Sequence, residues 1–149
     1  MNCIDFRYCT DVITKQEAIV LLQEMKHGKD QREAEVKLNG YPSYTTAPGW
    51  LGYTDEKMIS LCKKYQDLGL TAFKIKIGQD LKRDIERCAV MRKQIGYEST
   101  LMVDSNQIFD VDQAIEWMIQ LKEFKPLWIE EPTQPDDVLG HAKIAKALK

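Results

Sequence analysis

The sequence is poor in what a thiolate metal site, a membrane span or a nucleic-acid surface needs. It has four cysteines, at 3, 9, 62 and 88, and two histidines, at 27 and 141. No cysteine pair has CxxC spacing and neither histidine lies beside one, which argues against zinc. Cys62 and Cys88 fall on apolar helical stripes and read as buried thiols; Cys3 and Cys9 are ambiguous, and no disulfide is expected. No apolar run approaches the ~20 residues of a membrane span. A net charge of −2 and a pI near 5.7 argue against a general nucleic-acid or anionic-membrane binder. The first ten residues carry both charge signs and no long apolar core, unlike a signal or transit peptide. A reducing intracellular compartment, cytoplasmic or mitochondrial, is the expectation. No GxGxxG or P-loop sequence follows any expected strand, which disfavours a nucleotide-binding open sheet.

Against these absences stand a 44% hydrophobic and 30% charged composition and 149 residues, enough for one ordinary domain with a sizeable core. Thr14, with Glu17 as capping-box partner, opens a helix with Ala18, Ile19, Leu22 and Met25 on one stripe. The mostly charged stretch from Lys26 to Lys37 reads as a solvated helix or linker. Gly40-Tyr41-Pro42 marks a boundary. Residues 1–42 form one unit and 43–149 another.

From Ser43 a strand–helix unit recurs. A strand from Tyr44 to Tyr53 is expected to be interrupted by Pro48-Gly49. Thr54 then caps a helix with Met58, Leu61, Cys62, Tyr65 and Leu68 inward, stopped by Gly69. A strand over Ala72–Ile77 precedes a helix through Leu81, Ile85, Cys88 and Ile95. A strand over Thr100–Val103 precedes a helix capped by Asp110 and Gln113. Leu127-Trp128-Ile129 is the fourth strand, and Val138 to Leu148 the last helix. Strands recur 28 and 26 residues apart, from Phe73 to Leu101 to Leu127. This spacing implies a parallel sheet with helical crossovers, either an open doubly wound sheet or a (β/α)8 barrel. The expected fold class is α/β, the first half of a TIM-type barrel. A complete barrel takes about 250 residues, and four units make half of one.

The charged residues at the strand ends carry the chemistry. Lys74 and Lys76, two apart on a strand, share a face that a sheet core would normally deny them. Val103-Asp104-Ser105-Asn106 and Ile129-Glu130-Glu131-Pro132 are apolar strands ending in carboxylates. Asp104 and Glu130 would converge at a barrel mouth, where oxygen ligands suit Mg2+. Lys76 beside them, destabilised as a cation by Lys74, would serve as a general base. That equipment removes a proton α to a carboxylate. Each part alone has a plainer explanation: KxK suits an exposed edge strand, and DxN suits a helix cap. The three in consecutive units are more specific.

Lys-Ile-Lys, Val-Asp-Ser-Asn-Gln and Trp-Ile-Glu-Glu-Pro resemble three successive barrel strands of the enolase superfamily, mandelate racemase type. The flanking segments Cys-Ile-Asp-Phe-Arg-Tyr-Cys-Thr-Asp-Val, Trp-Leu-Gly-Tyr and Phe-Lys-Pro-Leu-Trp-Ile-Glu-Glu-Pro-Thr-Gln-Pro resemble its branch of L-fuconate dehydratases and enolase superfamily member 1 proteins. The resemblance implies Lys76 as general base, Lys74 and Asn106 as substrate contacts, and Asp104 and Glu130 as two of three Mg2+ ligands. The reaction it implies is loss of water from a small sugar acid, L-fuconate, giving a 2-keto-3-deoxy acid. A sister dehydratase or racemase, or a non-catalytic binding role, are the alternatives. Residues 1–42 would be the end of a capping domain. Ser105, Ile108-Phe109 and Ala47-Pro48-Gly49 depart from the branch, which bears on the substrate more than the fold. The family's third metal ligand and acid histidine have no match in these residues, and His141 is not that histidine. The stretch alone is therefore expected to be inactive. The open edges of a half barrel call for a homo-oligomer or another chain, or leave it unstable.

Overall fold

The computed structural model describes residues 11–149; Cys3, Cys9 and most of the segment Cys-Ile-Asp-Phe-Arg-Tyr-Cys-Thr-Asp-Val lie outside them. The chain divides into two compact units, Met1–Pro42 and Ser43–Lys149.

In the first unit, α1 (Lys15–Glu24) begins at Thr14, whose hydroxyl accepts from the Glu17 amide while the Glu17 carboxylate accepts from the Thr14 amide. Of the expected stripe only Ala18 is buried; Met25 is exposed. α2 (Lys29–Asn39) buries no residue, as its run of charges implies. Arg32 donates to the carbonyls of His27 and Met25, closing the turn between the helices.

The second unit is a four-stranded parallel sheet in the order β1 (Thr45–Gly49), β2 (Ala72–Lys76), β3 (Thr100–Asp104), β4 (Pro126–Glu130). Helices α3 (Asp55–Asp67), α4 (Leu81–Ile95) and α5 (Val111–Leu121) connect the strands, and α6 (Val138–Ala147) follows β4. This is the topology of half a TIM-type barrel. Each of these helices starts at a side-chain cap: Thr54, Asp80, Asp110 and Asp137 accept from amides of the first turn. The core forms where Phe73, Ile75, Leu101 and Val103 meet Met58, Cys62, Cys88, Met91, Ala114 and Met118. Burial pushes the thiols of Cys62 and Cys88 up to about 12, so both behave as small hydrophobes. Among the described residues no helix is long and apolar enough to cross a membrane.

Two details differ from the sequence reading. Leu68, at the end of α3, is 65% exposed. Pro48-Gly49 does not interrupt the first strand but ends it. Thr45 pairs with Phe73 and Gly49 with Ile75, so four steps along β1 match two along β2. The irregularity accommodates Pro48, which has no amide to give the ladder. Gly49 is required there: a Cβ would lie 2.2 Å from the Lys74 carbonyl oxygen.

Two arginines of α4 are almost wholly buried. Arg92 donates to the carbonyls of Gly96 and Ser99, before β3, and of Phe124 and Lys125, before β4. Burial pulls its guanidinium below the ordinary arginine range. It thereby satisfies carbonyls where the strands have not yet begun to pair. Gly49→Ala should cost about 3 kcal/mol, and Arg92→Met about 2–4 kcal/mol through orphaned carbonyls. Urea unfolding midpoints measure both.

Candidate functional site

β2 alternates faces. Phe73, Ile75 and Ile77 enter the core under the helices, and Lys74 and Lys76 point to the opposite face. In register, Lys76 lies beside Asp104 of β3 and Asp104 beside Glu130 of β4. Three neighbouring strands thus present their charged ends on one face.

The side chains meet there. The Lys74 ammonium lies 2.8 Å from Asp104 Oδ2 and 2.5 Å from Glu130 Oε1. The Lys76 ammonium lies 2.6 Å from the same Asp104 oxygen. Asp104 Oδ1 accepts from the Asn106 amide at 3.0 Å. Lys74 is only 5% exposed, which rules out the exposed-edge explanation of the lysine pair. Burial pulls the Lys74 ammonium down, but hydrogen bonds to Asp104 and Glu130 and their charges outweigh it and hold it above the ordinary lysine range. Burial likewise pushes Asp104 up; its bonds to Lys74, Lys76 and the Asn106 amide prevail and hold it below the carboxylate range.

Asn106 is placed differently. Its main chain joins the cluster through Asp104, but its carboxamide donates to Glu131 Oε2 at 3.0 Å. Glu131 also accepts from the Gln107 carboxamide, and its carbonyl accepts from the Gln107 amide and the Ser105 hydroxyl. Asn106, Gln107 and Glu131 all have positive φ, uncommon for side-chain-bearing residues. The two loops after β3 and β4 therefore hold each other in a strained form at the edge of the charged cluster.

Several contributors carry no sequence motif. Tyr44 places its ring 5.3 Å from the Lys74 ammonium and its hydroxyl 3.4 Å from Glu130 Oε2. Trp50 places its indole 5.9 Å from the Lys76 ammonium. An expected strand at 44–53 made both visible as strand residues, but nothing in their spacing pointed them at the lysines. His141 lies on α6 and lines, with Leu127, Ile129 and Ile144, an apolar groove of about 830 Å3 along the β4 edge. None of Lys74, Lys76, Asp104 and Glu130 lines that groove.

Asp104→Asn leaves two ammonium groups facing each other with one partner fewer, and should cost about 3–5 kcal/mol at pH 7. Because the native Asp104 value is depressed, its contribution is present above the unfolded carboxylate range, near 4, and is lost as pH falls through the native value. The gap between wild type and Asp104→Asn in urea unfolding should therefore close on acidification.

A family model described as "Enolase C-terminal domain-like" matches residues 57–149. Mitochondrial enolase superfamily member 1 of Homo sapiens is 53% identical over 148 residues, covering 99% of this chain and 33% of that protein. The crystal structure of the human protein matches with a TM-score of 0.83 at 54% identity, over 98% of this chain and 33% of that one. L-Galactonate dehydratase of Hypocrea jecorina is 45% identical over 152 residues, covering 100% of this chain and 34% of that protein. The structure of L-talarate/galactarate dehydratase from Salmonella typhimurium LT2, liganded with Mg and L-lyxarohydroxamate, matches with a TM-score of 0.68 at 34% identity, over 71% of this chain and 27% of that one. The chain spans about a third of the length of the curated relatives it matches. With a family model over more than half of its residues and relatives alike over nearly all of them, the chain belongs to the enolase superfamily, in its enolase C-terminal domain-like family.

Proposed function

We propose that this chain is the base-bearing segment of a Mg2+-dependent acid-sugar dehydratase. The observation that carries the reading is the meeting of Lys74, Lys76, Asp104 and Glu130 at three adjacent strand ends. The relatives support the kind of reaction: dehydratases of L-galactonate and of L-talarate and galactarate are among them.

Asp104 and Glu130 are the chain's own candidates to hold the metal. Their oxygens already converge on a single cation, the Lys74 ammonium, and hard carboxylate oxygens suit Mg2+. Among the described residues no third such side chain joins them, so the pair supplies part of a coordination sphere that Mg2+ otherwise fills with water and further ligands. When bound, Mg2+ stabilises negative charge developing on the substrate carboxylate. Lys76, as the free amine left once its ammonium has given up a proton, takes the α-proton. Lys74, held protonated, pairs with the carboxylate of the sugar acid. Asn106, at the rim, contacts a substrate hydroxyl. Tyr44 and Trp50 provide an aromatic wall beside the two ammonium groups. The β-hydroxyl then leaves as water, taking a proton from an acid that residues elsewhere in the full-length protein supply, and the enol left behind tautomerises to the 2-keto-3-deoxy acid.

L-Fuconate is the substrate we assign, giving 2-keto-3-deoxy-L-fuconate. The Hypocrea relative favours a second candidate, L-galactonate, which differs from L-fuconate only by a hydroxyl at C6. The relatives named as mitochondrial support a mitochondrial location. The open β4 edge supports association with further protein, a second copy included.

The full-length protein, assayed with Mg2+ against a panel of aldonates, should dehydrate L-fuconate and exchange its α-proton with deuterated water. Lys76→Ala should lower both by about 10²–10⁴-fold while urea unfolding stays cooperative. Chelation of Mg2+ should abolish turnover and re-addition restore it. Residues 1–149 alone should show none. Turnover unchanged in Lys76→Ala would remove the base from this reading.

A further inference from the structure

Arg87 is 2% exposed, and the two terminal nitrogens of its guanidinium donate to main-chain carbonyls. It donates to Lys76 O at 2.6 Å, Gly49 O at 3.0 Å and Trp50 O at 2.9 Å. These oxygens lie at the C-terminal ends of β1 and β2, where the parallel ladder runs out. Asp84, one turn earlier on α4 and equally buried, accepts from the Gly78 amide at 2.6 Å and the Trp117 indole at 3.1 Å. It also lies 3.8 Å from Arg87. The Ile77 amide donates to the Asp104 carbonyl. The main chain leaving Lys76 is thus held at three successive points: its carbonyl by Arg87, the next amide by β3, and the one after by Asp84.

The same guanidinium holds the carbonyl of Trp50, whose ring lies beside the Lys76 ammonium. One buried cation therefore sets both the backbone that carries Lys76 and the aromatic wall its side chain faces. The two terminal nitrogens of a rigid planar fork reach carbonyls on two separate strand ends, a spread that a single compact ammonium nitrogen does not reproduce. A purely structural role would look like that of Arg92, on the same helix and buried to the same degree. Arg92 binds carbonyls only at the opposite, N-terminal ends of the strands, away from the lysines.

We propose that Arg87, backed by Asp84, is a positioning residue for Lys76: it fixes the Lys76 main chain and Trp50 so that the Lys76 amine stands where an α-proton is to be removed. The proposal rests on the assignment of Lys76 as base. Misplacing a reacting group by about 1 Å costs on the order of 10²-fold in rate.

The test compares Arg87→Lys with Arg92→Lys in the full-length protein, after urea unfolding has confirmed that each is folded. Arg87→Lys should lower kcat for α-proton exchange by about 10–100-fold with KM changed less than about threefold. Arg92→Lys should leave both near wild type. In a Lys76→Ala background, Arg87→Lys should lower the residual rate no further. A kcat for Arg87→Lys within about twofold of wild type, or an equal fall in Arg92→Lys, overturns the proposal. If the wild-type protein exchanges no α-proton of any aldonate, the dehydratase reading has failed instead. The positioning claim is then read from indole 15N–1H spectra, with the Trp50 peak assigned by Trp50→Phe. Arg87→Lys and Lys76→Met should each move the Trp50 peak, and Arg92→Lys should not. A Trp50 peak unmoved by Arg87→Lys sinks the positioning role whatever the activity.

Discussion

The Lys74 ammonium, buried between the carboxylates of Asp104 and Glu130, is the constraint to which the barrel unit answers. A buried charge is tolerated only when paired and hydrogen-bonded. Here one face of the sheet is charged while the other, through Phe73, Ile75, Leu101 and Val103, packs under the helices. β2 and β3 must therefore keep their register: a slip by one residue would turn the lysines into the apolar core and Ile75 out of it. The pairing that suits the charges also suits the core, and this agreement makes the register unambiguous.

The strands are further secured from one helix. α4 sends Arg87 to the carbonyls at one end of the sheet and Arg92 to those at the other. Both guanidinium groups lie below their ordinary range because burial disfavours the charge. Burial also raises the Asp84 carboxyl, although the Gly78 amide and the Trp117 indole bond to it. Helix and strand ends are thus tied by hydrogen bonds from charged groups, which are stronger than neutral ones. The β4 edge is finished differently: Leu127 and Trp128 are exposed, and the apolar groove beside them joins α5 to α6.

Much of this was legible from residue order. The alternation Phe-Lys-Ile-Lys-Ile gives a strand with one basic face, and the caps Thr14, Thr54 and Asp110 stand where helices begin. The 26–28-residue recurrence places Asp104 and Glu130 on successive strands. What was misread has a local cause. Pro48 ordinarily ends pairing, but the irregularity in β1 lets the strand continue to Gly49. Other features carried no signal in residue order at all: the bond from the Asn106 carboxamide to Glu131 depends on the left-handed turn after β3. The role of Arg87 left no trace: its partners are carbonyl oxygens, which every residue has.

Residue order by itself determined the strand–helix alternation and which strand ends carry charge, because both follow from periods of two and 3.6 along the chain. Folding in three dimensions alone decided that one ammonium sits between carboxylates 30 and 56 residues away. It also decided that the backbone beside Lys76 is held by an arginine eleven residues further on. Such contacts depend on strand register and on main-chain atoms turned inward, and neither has a side-chain signature to read.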